Sequence, residues 1–179
     1  MEGQLWTAER ELLYDTVRQY QPSVVFESGT WKGGGSTWQI VSALQANKKG
    51  HLYTCEIDIA SFNIARDLYD GNSRVSLFNR VACDVLSDLV RGGIVPSVAF
   101  LDGSEDPQVT LDEFLALDRV MSPGSVVLVH DWDLGVRADG NVSTKCGLLR
   151  PFLEGFPAWK IDTVLSAPVS VGLVRAVKN

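Results

Sequence analysis

The stretch VVFESGTWKGGGS, residues 24–36, decides the fold of this chain. An apolar run ends in the acid Glu27, a loop with four glycines follows, and Ser36 opens a segment with helical spacing. This order predicts a strand, a tight turn and a helix. Glycine permits positive φ angles and lets backbone N–H groups come close to a ligand, so the turn is the first candidate for a binding site.

Three glycine-rich motifs compete for this turn. A phosphate-binding P-loop fits the spacing from Gly29 to Gly34, but residue 35 is glycine where that motif needs lysine. The dinucleotide fingerprint fails from Gly29 and from Gly33, because tryptophan stands where each match needs glycine. What remains is acid-x-Gly-x-x-x-Gly, which suits a ligand without phosphate whose ammonium group faces Glu27. A structural corner without a ligand, with Ser36 as helix N-cap, stays an alternative.

Length, charge and cysteine usage limit the function classes. A chain of 179 residues is expected to form one domain over residues 1–179, with a helical cap over residues 1–22. The net charge of -6 and the lack of basic runs argue against nucleic acid or an anionic membrane as partner. We expect a cytoplasmic protein, because residues 1–4 do not resemble the start of a signal peptide and the cysteines are scattered, at Cys55, Cys83 and Cys146.

Predicted strands and helices alternate along the chain. Apolar periodicity and turn residues place the helices at about 7–20, 36–46, 60–68, 84–90, 110–121 and 142–149. The strands are expected at about 23–28, 51–57, 75–78, 97–101, 125–129, 159–165 and 169–174. The helix at 110–121 is predicted to start at a capping box, Thr110 to Glu113.

The end of the chain defines the sheet. Only Ser166, Ala167 and Pro168 separate the last two predicted strands, whereas a parallel crossover needs a dozen or more residues. This pair must therefore form an antiparallel hairpin. We predict an α/β fold, a Rossmann-like doubly wound sheet of seven mostly parallel strands that ends in a C-terminal antiparallel hairpin. The dinucleotide-binding fold does not end in this way.

Acidic residues come at the ends of three further predicted strands. Glu56 ends the second strand, Asp102 follows the fourth, and His130 and Asp131 follow the fifth. Ligands of open α/β sheets bind outside the carboxyl ends of the strands, so these side chains are candidates for one site. Glu56 lies 23 residues after Gly33, a spacing consistent with an acid that binds ribose hydroxyls.

With these features, the chain from about Val24 to Val174 resembles the class I S-adenosylmethionine (SAM)-dependent methyltransferases. Within that class it looks closest to the metal-dependent O-methyltransferases of the catechol and macrocin/cephalosporin-biosynthesis type. The resemblance implies the strand order 3-2-1-4-5-7-6, with strand 7 antiparallel. It also implies that the turn holds the methionine part of SAM, through the donor-binding residues Glu27, Gly29, Trp31 and Gly33.

The resemblance assigns the rest of the donor site. Glu56 would bind the ribose, with Asp58 as a substitute and an exposed strand-end acid as the alternative. Residues 81–84 match the segment that contacts adenine, which implies roles for Cys83 and Asp84. Asp84 is equally well placed as the N-cap of the following helix. Asp102 is expected at the donor site as well as at the metal.

The segments Phe100 to Ser104 and Leu128 to Trp132 resemble the family's metal-binding segments. In the family's topology strands four and five are neighbours, so Asp102 and Asp131 would converge on a divalent ion. Two carboxylates suit Mg²⁺, and His130 as a third ligand leaves Mn²⁺, Fe²⁺ or Zn²⁺ open. Loop caps without metal are the alternative.

Two departures from the family concern the chemistry. The usual Lys or His a few residues after the first metal-site Asp is absent, and Glu105 is the candidate that stands in as general base. Asp102, Asp131 and Glu105 are therefore the catalytic candidates. Trp132 takes the place of the usual amide ligand, and Trp31 and Trp132 are expected either to form an aromatic wall for the acceptor or to lie in the core.

The expected function is methyl transfer from SAM to a hydroxyl of a small molecule, with help from a divalent metal. Metal-free N- or C-methylation, and a non-catalytic binding or assembly module, remain alternatives, while a nicotinamide oxidoreductase is disfavoured. Acceptor contacts are expected around residues 133–146 and the first helix. A homo-oligomer is a further hypothesis, because a short N-terminal cap leaves apolar surface to cover.

Overall fold

The computed structural model describes residues 5–136, 142–168 and 170–179, and it contains six helices and nine strands within them. The helices are α1 Thr7–Tyr20, α2 Ser36–Asn47, α3 Ile59–Leu68, α4 Ala82–Arg91, α5 Pro107–Val120 and α6 Leu149–Glu154. The strands are β1 Val24–Ser28, β2 His51–Cys55, β3 Val75–Phe78, β4 Val98–Leu101, β5 Val126–His130, β6 Gly135–Val136, β7 Val142–Ser143, β8 Trp159–Leu165 and β9 Leu173–Lys178. None of the helices in these ranges is both long enough and apolar enough to cross a membrane.

One seven-stranded sheet has the order β3-β2-β1-β4-β5-β9-β8. Strands β1 to β5 are parallel, whereas β9 pairs antiparallel with both β5 and β8. This confirms the predicted doubly wound sheet and its C-terminal antiparallel hairpin. The order is the 3-2-1-4-5-7-6 order of the prediction, because β8 and β9 are the sixth and seventh strands of the large sheet and β6 and β7 form a separate two-stranded pair.

Apolar side chains cover both faces of the sheet. Along β5, Val126 and Leu128 pack with α1 and α2, while Val127 and Val129 pack on the opposite face with α4, α5 and α6. All four side chains are fully buried. A strand that is covered on both faces needs a continuous apolar run, which explains the sequence of β5.

The parallel strands end at one edge of the sheet. Register pairing places the last residue of β1, Ser28, beside Cys55 of β2 and Leu101 of β4. The residues that follow these strands and β5 are Gly29, Glu56, Asp102 and Asp131. Strand pairing therefore brings the predicted site residues to a common edge.

Two predicted helix starts are wrong. Helix α4 begins at Ala82, so Asp84 lies in its first turn and is not its N-cap. Helix α5 begins at Pro107, and the side chain of its N-cap Asp106 accepts a hydrogen bond from the backbone N–H of Gln108 at 2.9 Å. Proline at the first helical position favours this earlier start, so the capping box at Thr110 does not begin the helix.

The predicted helix at 142–149 is also wrong. Val142 and Ser143 pair with β6, and helix α6 begins only at Leu149. Pro151 lies in the first turn of α6, where no helical hydrogen bond needs its missing N–H, so it neither stops nor kinks the helix. Strand β9 begins at Leu173, later than the predicted start at Val169, which lies outside the described residues.

Candidate functional site

The turn after β1 is fixed by close packing of backbone against backbone. Gly29 has φ +92°, and a Cβ atom there would lie 2.4 Å from the carbonyl oxygen of Asp102. Gly33 has φ +78° and packs on the ring of Tyr69, whose hydroxyl donates to the Gly33 carbonyl at 2.6 Å. The two glycines of the motif are therefore required by the approach of β4 and α3 to the turn.

Glu27 lies beneath this turn and is fully buried. Its Oε2 accepts hydrogen bonds from the hydroxyls of Thr37 at 2.7 Å and Thr54 at 2.6 Å. Its Oε1 has no hydrogen-bond partner among the described residues. Burial raises the pKa of the Glu27 carboxyl to about 7, because the hydrogen bonds from hydroxyl groups offset only part of the loss of water.

A cleft of about 180 Å³ opens beside the turn, over the ends of β1, β2 and β4. Its lining combines the backbone of Gly29 and the carboxylate of Glu56 with the apolar side chains of Ile57, Val81 and Ala82. A carboxylate next to apolar walls suits a ligand that has hydroxyl groups and a flat ring. The cleft is the donor-site candidate, and we call it the donor cleft.

Glu56 links the donor cleft to the turn. Its Oε2 accepts a hydrogen bond from the backbone N–H of Trp31 at 2.8 Å, and its Oε1 accepts one from the backbone N–H of Asp58 at 2.8 Å. A carboxylate oxygen has a second lone pair, so both oxygens keep an acceptor position for a ribose hydroxyl. Asp58 caps α3 by accepting from Ser61 at 2.8 Å, which leaves Glu56 as the ribose candidate.

The other predicted donor-binding residues divide into two groups. Val81 and Ala82 line the donor cleft, but Cys83 and Asp84, which follow them in α4, are not part of its lining. Trp31 and Asp102 line a smaller cavity of about 30 Å³, together with Gly29 and Ser36. The role of residues 81–84 in binding adenine stays a prediction, and within this segment the cleft is lined by the two residues that precede Cys83.

A buried acid of α5, Glu113, also lines the donor cleft. It accepts a hydrogen bond from the hydroxyl of Ser28 at 2.8 Å, and burial raises its pKa to about 7. From the sequence, Glu113 was predicted only as part of the capping box that begins at Thr110. No local motif marks it as a cleft residue, because its position depends on how α5 packs against β1.

A second group of polar side chains lies where β4 and β5 end. Asp102, His130 and Asp131 have ligand-type atoms within 4.8 Å of one another, as the sequence predicted. The Nδ1 of His130 lies 3.2 Å from Oδ1 of Asp102 and 3.6 Å from Oδ2 of Asp131. Asp131 has φ +57°, which turns its side chain back toward this group.

Two further residues, which no sequence motif identifies, complete this group. Lys145 donates from its ammonium to Oδ1 of Asp102 and lies 3.5 Å from Oδ2 of Asp131. Glu9 of α1 accepts from Nε2 of His130 at 3.2 Å. We call these five residues the charged cluster. Glu9 and Lys145 are distant in sequence from the strand ends, and no motif announces either of them.

Ion pairing between the side chains sets the direction of the pKa shifts in the charged cluster. Burial alone would raise the pKa of Asp102 and of Asp131, but the neighbouring His130 and Lys145 hold both values below the usual range. The same attraction raises the pKa of His130 well above its ordinary value, against the effect of burial. The cluster therefore consists of three carboxylates that are paired with an imidazolium and an ammonium.

Glu9 connects the cluster to two other segments. It is fully buried, and its Oε1 accepts hydrogen bonds from the hydroxyl of Ser170 and from the backbone N–H of Val171 at 3.1 Å. Its Oε2 also accepts from the backbone N–H of Trp6 at 2.7 Å. The first helix is thereby fastened to the ends of β5 and β9 by one carboxylate.

Two predicted contacts of the acceptor side have different outcomes. Trp132 is 1% exposed and belongs to the apolar core, so it is not an aromatic wall. Glu105, the candidate general base, is exposed on the loop before α5; the pKa of Lys145 is raised first by Asp102, then by Asp131, and Glu105 adds to this effect. Of the predicted acceptor segment 133–146, residues 137–141 lie outside the described residues.

The comparisons with known proteins agree with this geometry. Residues 26–132, more than half of the chain, match the model of the family described as "Methyltransferase domain". This chain belongs to that methyltransferase family. The match confirms the resemblance to methyltransferases and makes the protein an enzyme by family. The comparison with curated proteins finds no relative of this methyltransferase.

Solved structures show the same fold at low identity. The O-methyltransferase from Bacillus cereus in complex with SAH is 21% identical, with a TM-score of 0.77, over 97% of this chain and 81% of that chain. The O-methyltransferase TomG from Streptomyces achromogenes, in complex with SAM, is 22% identical, with a TM-score of 0.75, over 96% and 80%. The SAH-bound methyltransferase PaMTH1 from Podospora anserina is 18% identical, with a TM-score of 0.73, over 100% and 80%.

The charged cluster decides whether the expected metal fits this methyltransferase. Asp102, His130 and Asp131 offer a suitable donor set, with His130 oriented by Glu9 through its second ring nitrogen. However, the ammonium of Lys145 already contacts the Asp102 oxygen that faces the imidazole. With Lys145 in this position the residues do not fit a divalent ion, because two cations would share the same carboxylate oxygens.

Proposed function

We propose that this methyltransferase uses SAM as methyl donor and transfers the methyl group to an oxygen of a small molecule. The observation that carries the proposal is the placement of Glu56 in the donor cleft, next to the turn at Gly29 and opposite apolar walls. This arrangement offers hydrogen-bond acceptors for a ribose and a sandwich for an adenine ring. The family match supplies the class of reaction.

The main contribution of the protein to the reaction would be to position the methyl donor and the acceptor. In the transfer, a lone pair of the acceptor oxygen forms a C–O bond as the S–CH₃ bond breaks, and the sulfur keeps the electron pair of that bond. The products are the methylated acceptor and S-adenosylhomocysteine (SAH), and the hydroxyl proton passes to water. Holding the two reactants in line removes much of the entropic barrier of such a displacement.

The small cavity locates the transfer relative to the donor cleft. It is lined by Gly29, Trp31, Ser36 and Asp102, and so it joins the turn to the edge of the charged cluster. A donor whose adenosine fills the donor cleft would direct its methionine part toward this cavity. The acceptor would then approach from the side of the charged cluster and of the segment that includes β6 and β7.

Oxygen as the acceptor atom is supported by two similar structures, from Bacillus cereus and Streptomyces achromogenes, which are named O-methyltransferases. At 21% and 22% identity they support the fold of this chain, and the acceptor atom remains part of our proposal. Methylation of nitrogen or carbon, or donor binding without turnover, is the competing outcome of the test.

A metal-assisted form of the same reaction is the second candidate. The convergence of Asp102, His130 and Asp131 within 4.8 Å favours it. This form requires Lys145 to leave the cluster, so the two candidates make opposite predictions about chelators.

The test is a turnover assay with methyl-labelled SAM. Small catechols and other phenols would serve as oxygen acceptors, with the corresponding anilines as matched nitrogen acceptors, and each reaction would be run with EDTA and with Mg²⁺. We expect label in the phenols and SAH release. Label only in the anilines would overturn the oxygen assignment, and loss of turnover with EDTA would favour the metal-assisted form.

Glu56→Ala is the control variant for this assay. Its rate at limiting SAM should fall, because the ribose loses its acceptor, while Asp84→Ala, outside the cleft lining, should match the wild type. Equal rates for all three proteins would show that the donor does not bind in the donor cleft.

A further inference from the structure

Lys145 is an unusual residue for its place in the fold. It belongs to the segment between β7 and α6, and its side chain is 2% exposed and reaches the end of β4 at Asp102. Lysine is almost never fully buried unless it is paired. Here the ammonium contacts Asp102 and lies 3.5 Å from Asp131, so both of its partners come from the set of predicted metal ligands.

The ammonium and a metal ion would need the same atoms. Oδ1 of Asp102 and Oδ2 of Asp131 are the oxygens nearest to both His130 and Lys145. A divalent ion held by the two aspartates and the imidazole would bind these oxygens at about 2.0–2.6 Å. An ion at that distance would lie against the ammonium, and the repulsion between the two cations would exclude one of them.

The cations of the chain already offset most of the charge of the cluster without an ion. Glu9, Asp102 and Asp131 are the carboxylates, and His130 and Lys145 are the cations that face them. Each ring nitrogen of His130 faces a carboxylate. Buried charges are tolerated when they are paired in this way, and the three carboxylates and two cations leave only one negative charge, which a divalent ion would overcompensate.

We propose that the ammonium of Lys145 holds the place of a divalent metal ion in the charged cluster. The fixed positive charge beside Asp102 is then part of the chain, and the cluster binds no metal while Lys145 is present. If the proposed function holds, the consequence of this inference is that methyl transfer does not depend on a metal; in this respect the inference rests on the proposed function. Lys145 acts here as a positioning residue, because it holds Asp102 and Asp131 together at the small cavity.

The test is a calorimetric titration with Mn²⁺ alone of three proteins, namely wild type, Lys145→Ala and Lys160→Ala. Lys160 is exposed on β8 and serves as the matched lysine control. Removal of the Lys145 ammonium leaves the two aspartates and His130 facing an open position. We expect Lys145→Ala to bind Mn²⁺ on the order of tenfold or more tightly than the other two proteins.

Two results would overturn the inference. One is wild-type binding of Mn²⁺ as tight as that of Lys145→Ala, since the lysine would then not exclude the ion. The other is a folded Lys145→Ala variant that gains no Mn²⁺ affinity, since the cluster would then not be a cation site that Lys145 fills. Lys145→Met keeps the apolar stem of the side chain and replaces the alanine variant if that variant does not fold.

A parallel titration with SAH separates this inference from the proposed function. If no protein binds SAH but the Mn²⁺ pattern is as expected, the donor assignment fails and the assignment of Lys145 stands. If SAH binds and the wild type also takes up Mn²⁺ tightly, the donor assignment stands and the inference about Lys145 fails.

Discussion

Two groups of buried carboxylates lie under one edge of the sheet, and their pKa values are shifted in opposite directions. Beside the donor cleft, Glu27 and Glu113 accept hydrogen bonds from hydroxyl groups, and burial raises the pKa of each to about 7. In the charged cluster, Asp102 and Asp131 are also largely buried, but His130 and Lys145 lower their pKa values.

The comparison shows that the direction of the pKa shift of these buried acids depends on whether a cation lies beside them. Burial penalises the ionised form in both regions, and only a nearby cation reverses the shift. The two buried acids beside the donor cleft therefore take up protons near neutral pH, whereas the two aspartates of the cluster stay ionised. The apolar walls of the cleft suit the adenine of a donor, and the charged region lies where the transfer would occur.

The largest expected effect breaks the charged cluster itself. Glu9→Ala removes the carboxylate that faces His130 and leaves Ser170 and Val171 without their acceptor. We expect the free energy of unfolding to fall by about 3–5 kcal/mol, because Nε2 of His130, the Ser170 hydroxyl and the Val171 N–H all lose their acceptor. Urea denaturation measures this change. Glu11→Ala, an exposed acid of the same helix, should change stability by less than about 0.5 kcal/mol, and an equal loss in both would contradict the pairing.

The next effect concerns the close approach of Gly29, in the turn, to the backbone of Asp102 at the end of β4. Gly29→Ala would place a Cβ atom 2.4 Å from the Asp102 carbonyl oxygen and force the turn away from β4. We expect a loss of about 2–4 kcal/mol of stability and weaker SAH binding, because strain and overpacking add. Gly71→Ala is the matched control, since Gly71 also has a positive φ but has no atom near the added methyl. Similar losses in both variants would mean that φ alone, and not the approach of β4, requires glycine at residue 29.

A smaller effect tests the ribose contact in the donor cleft. Glu56→Ala should weaken SAH binding by about 1–3 kcal/mol, because hydrogen bonds to the ribose are lost. Calorimetric titration measures the affinity, and Asp84→Ala should leave it unchanged. A weaker affinity for Asp84→Ala and not for Glu56→Ala would move the donor away from the cleft.

The smallest effect sharpens the contrast between the two groups of acids. The folded-state pKa of Glu113 lies near 7, above its ordinary value of 4.5, so the folded protein keeps this proton between the two values. Stability must then fall as pH rises through this window. Glu113→Gln should reduce the loss of stability between about pH 5 and about pH 8 by about 1–2 kcal/mol.

The control for the pH effect is an exposed acid. Glu11→Gln should keep the pH dependence of the wild type, measured by urea denaturation at each pH. If Glu113→Gln also keeps it, the carboxyl of Glu113 is ionised in the folded protein at neutral pH. The two regions would then not differ in the way described above.

Much of the fold could be predicted from the sequence because its signals are local. The strand, turn and helix around Gly29 and the short connection before β9 each lie within a few residues of one another. The helix predicted at 142–149 failed because its apolar spacing over a few residues does not distinguish a turn from a helix. Helix α6 starts at Leu149, where the predicted helix was expected to end, and it has a proline in its first turn.

The candidate site could be predicted only in part, for a related reason. Asp102, His130 and Asp131 follow strands, so topology alone brings them together. Glu9 and Lys145 reach the same place from a helix and a turn, and their positions depend on tertiary packing that no motif records. The metal was expected because the three ligands were visible in the sequence and their lysine partner was not.

The most direct test of the account is a calorimetric titration of the wild-type protein with SAH, once with EDTA and once with Mg²⁺. The account predicts binding in about the micromolar range with the same affinity in both conditions, since the donor cleft is formed by the chain alone. No binding in either condition would contradict the donor site, and the turn at Gly29 would then be a structural corner.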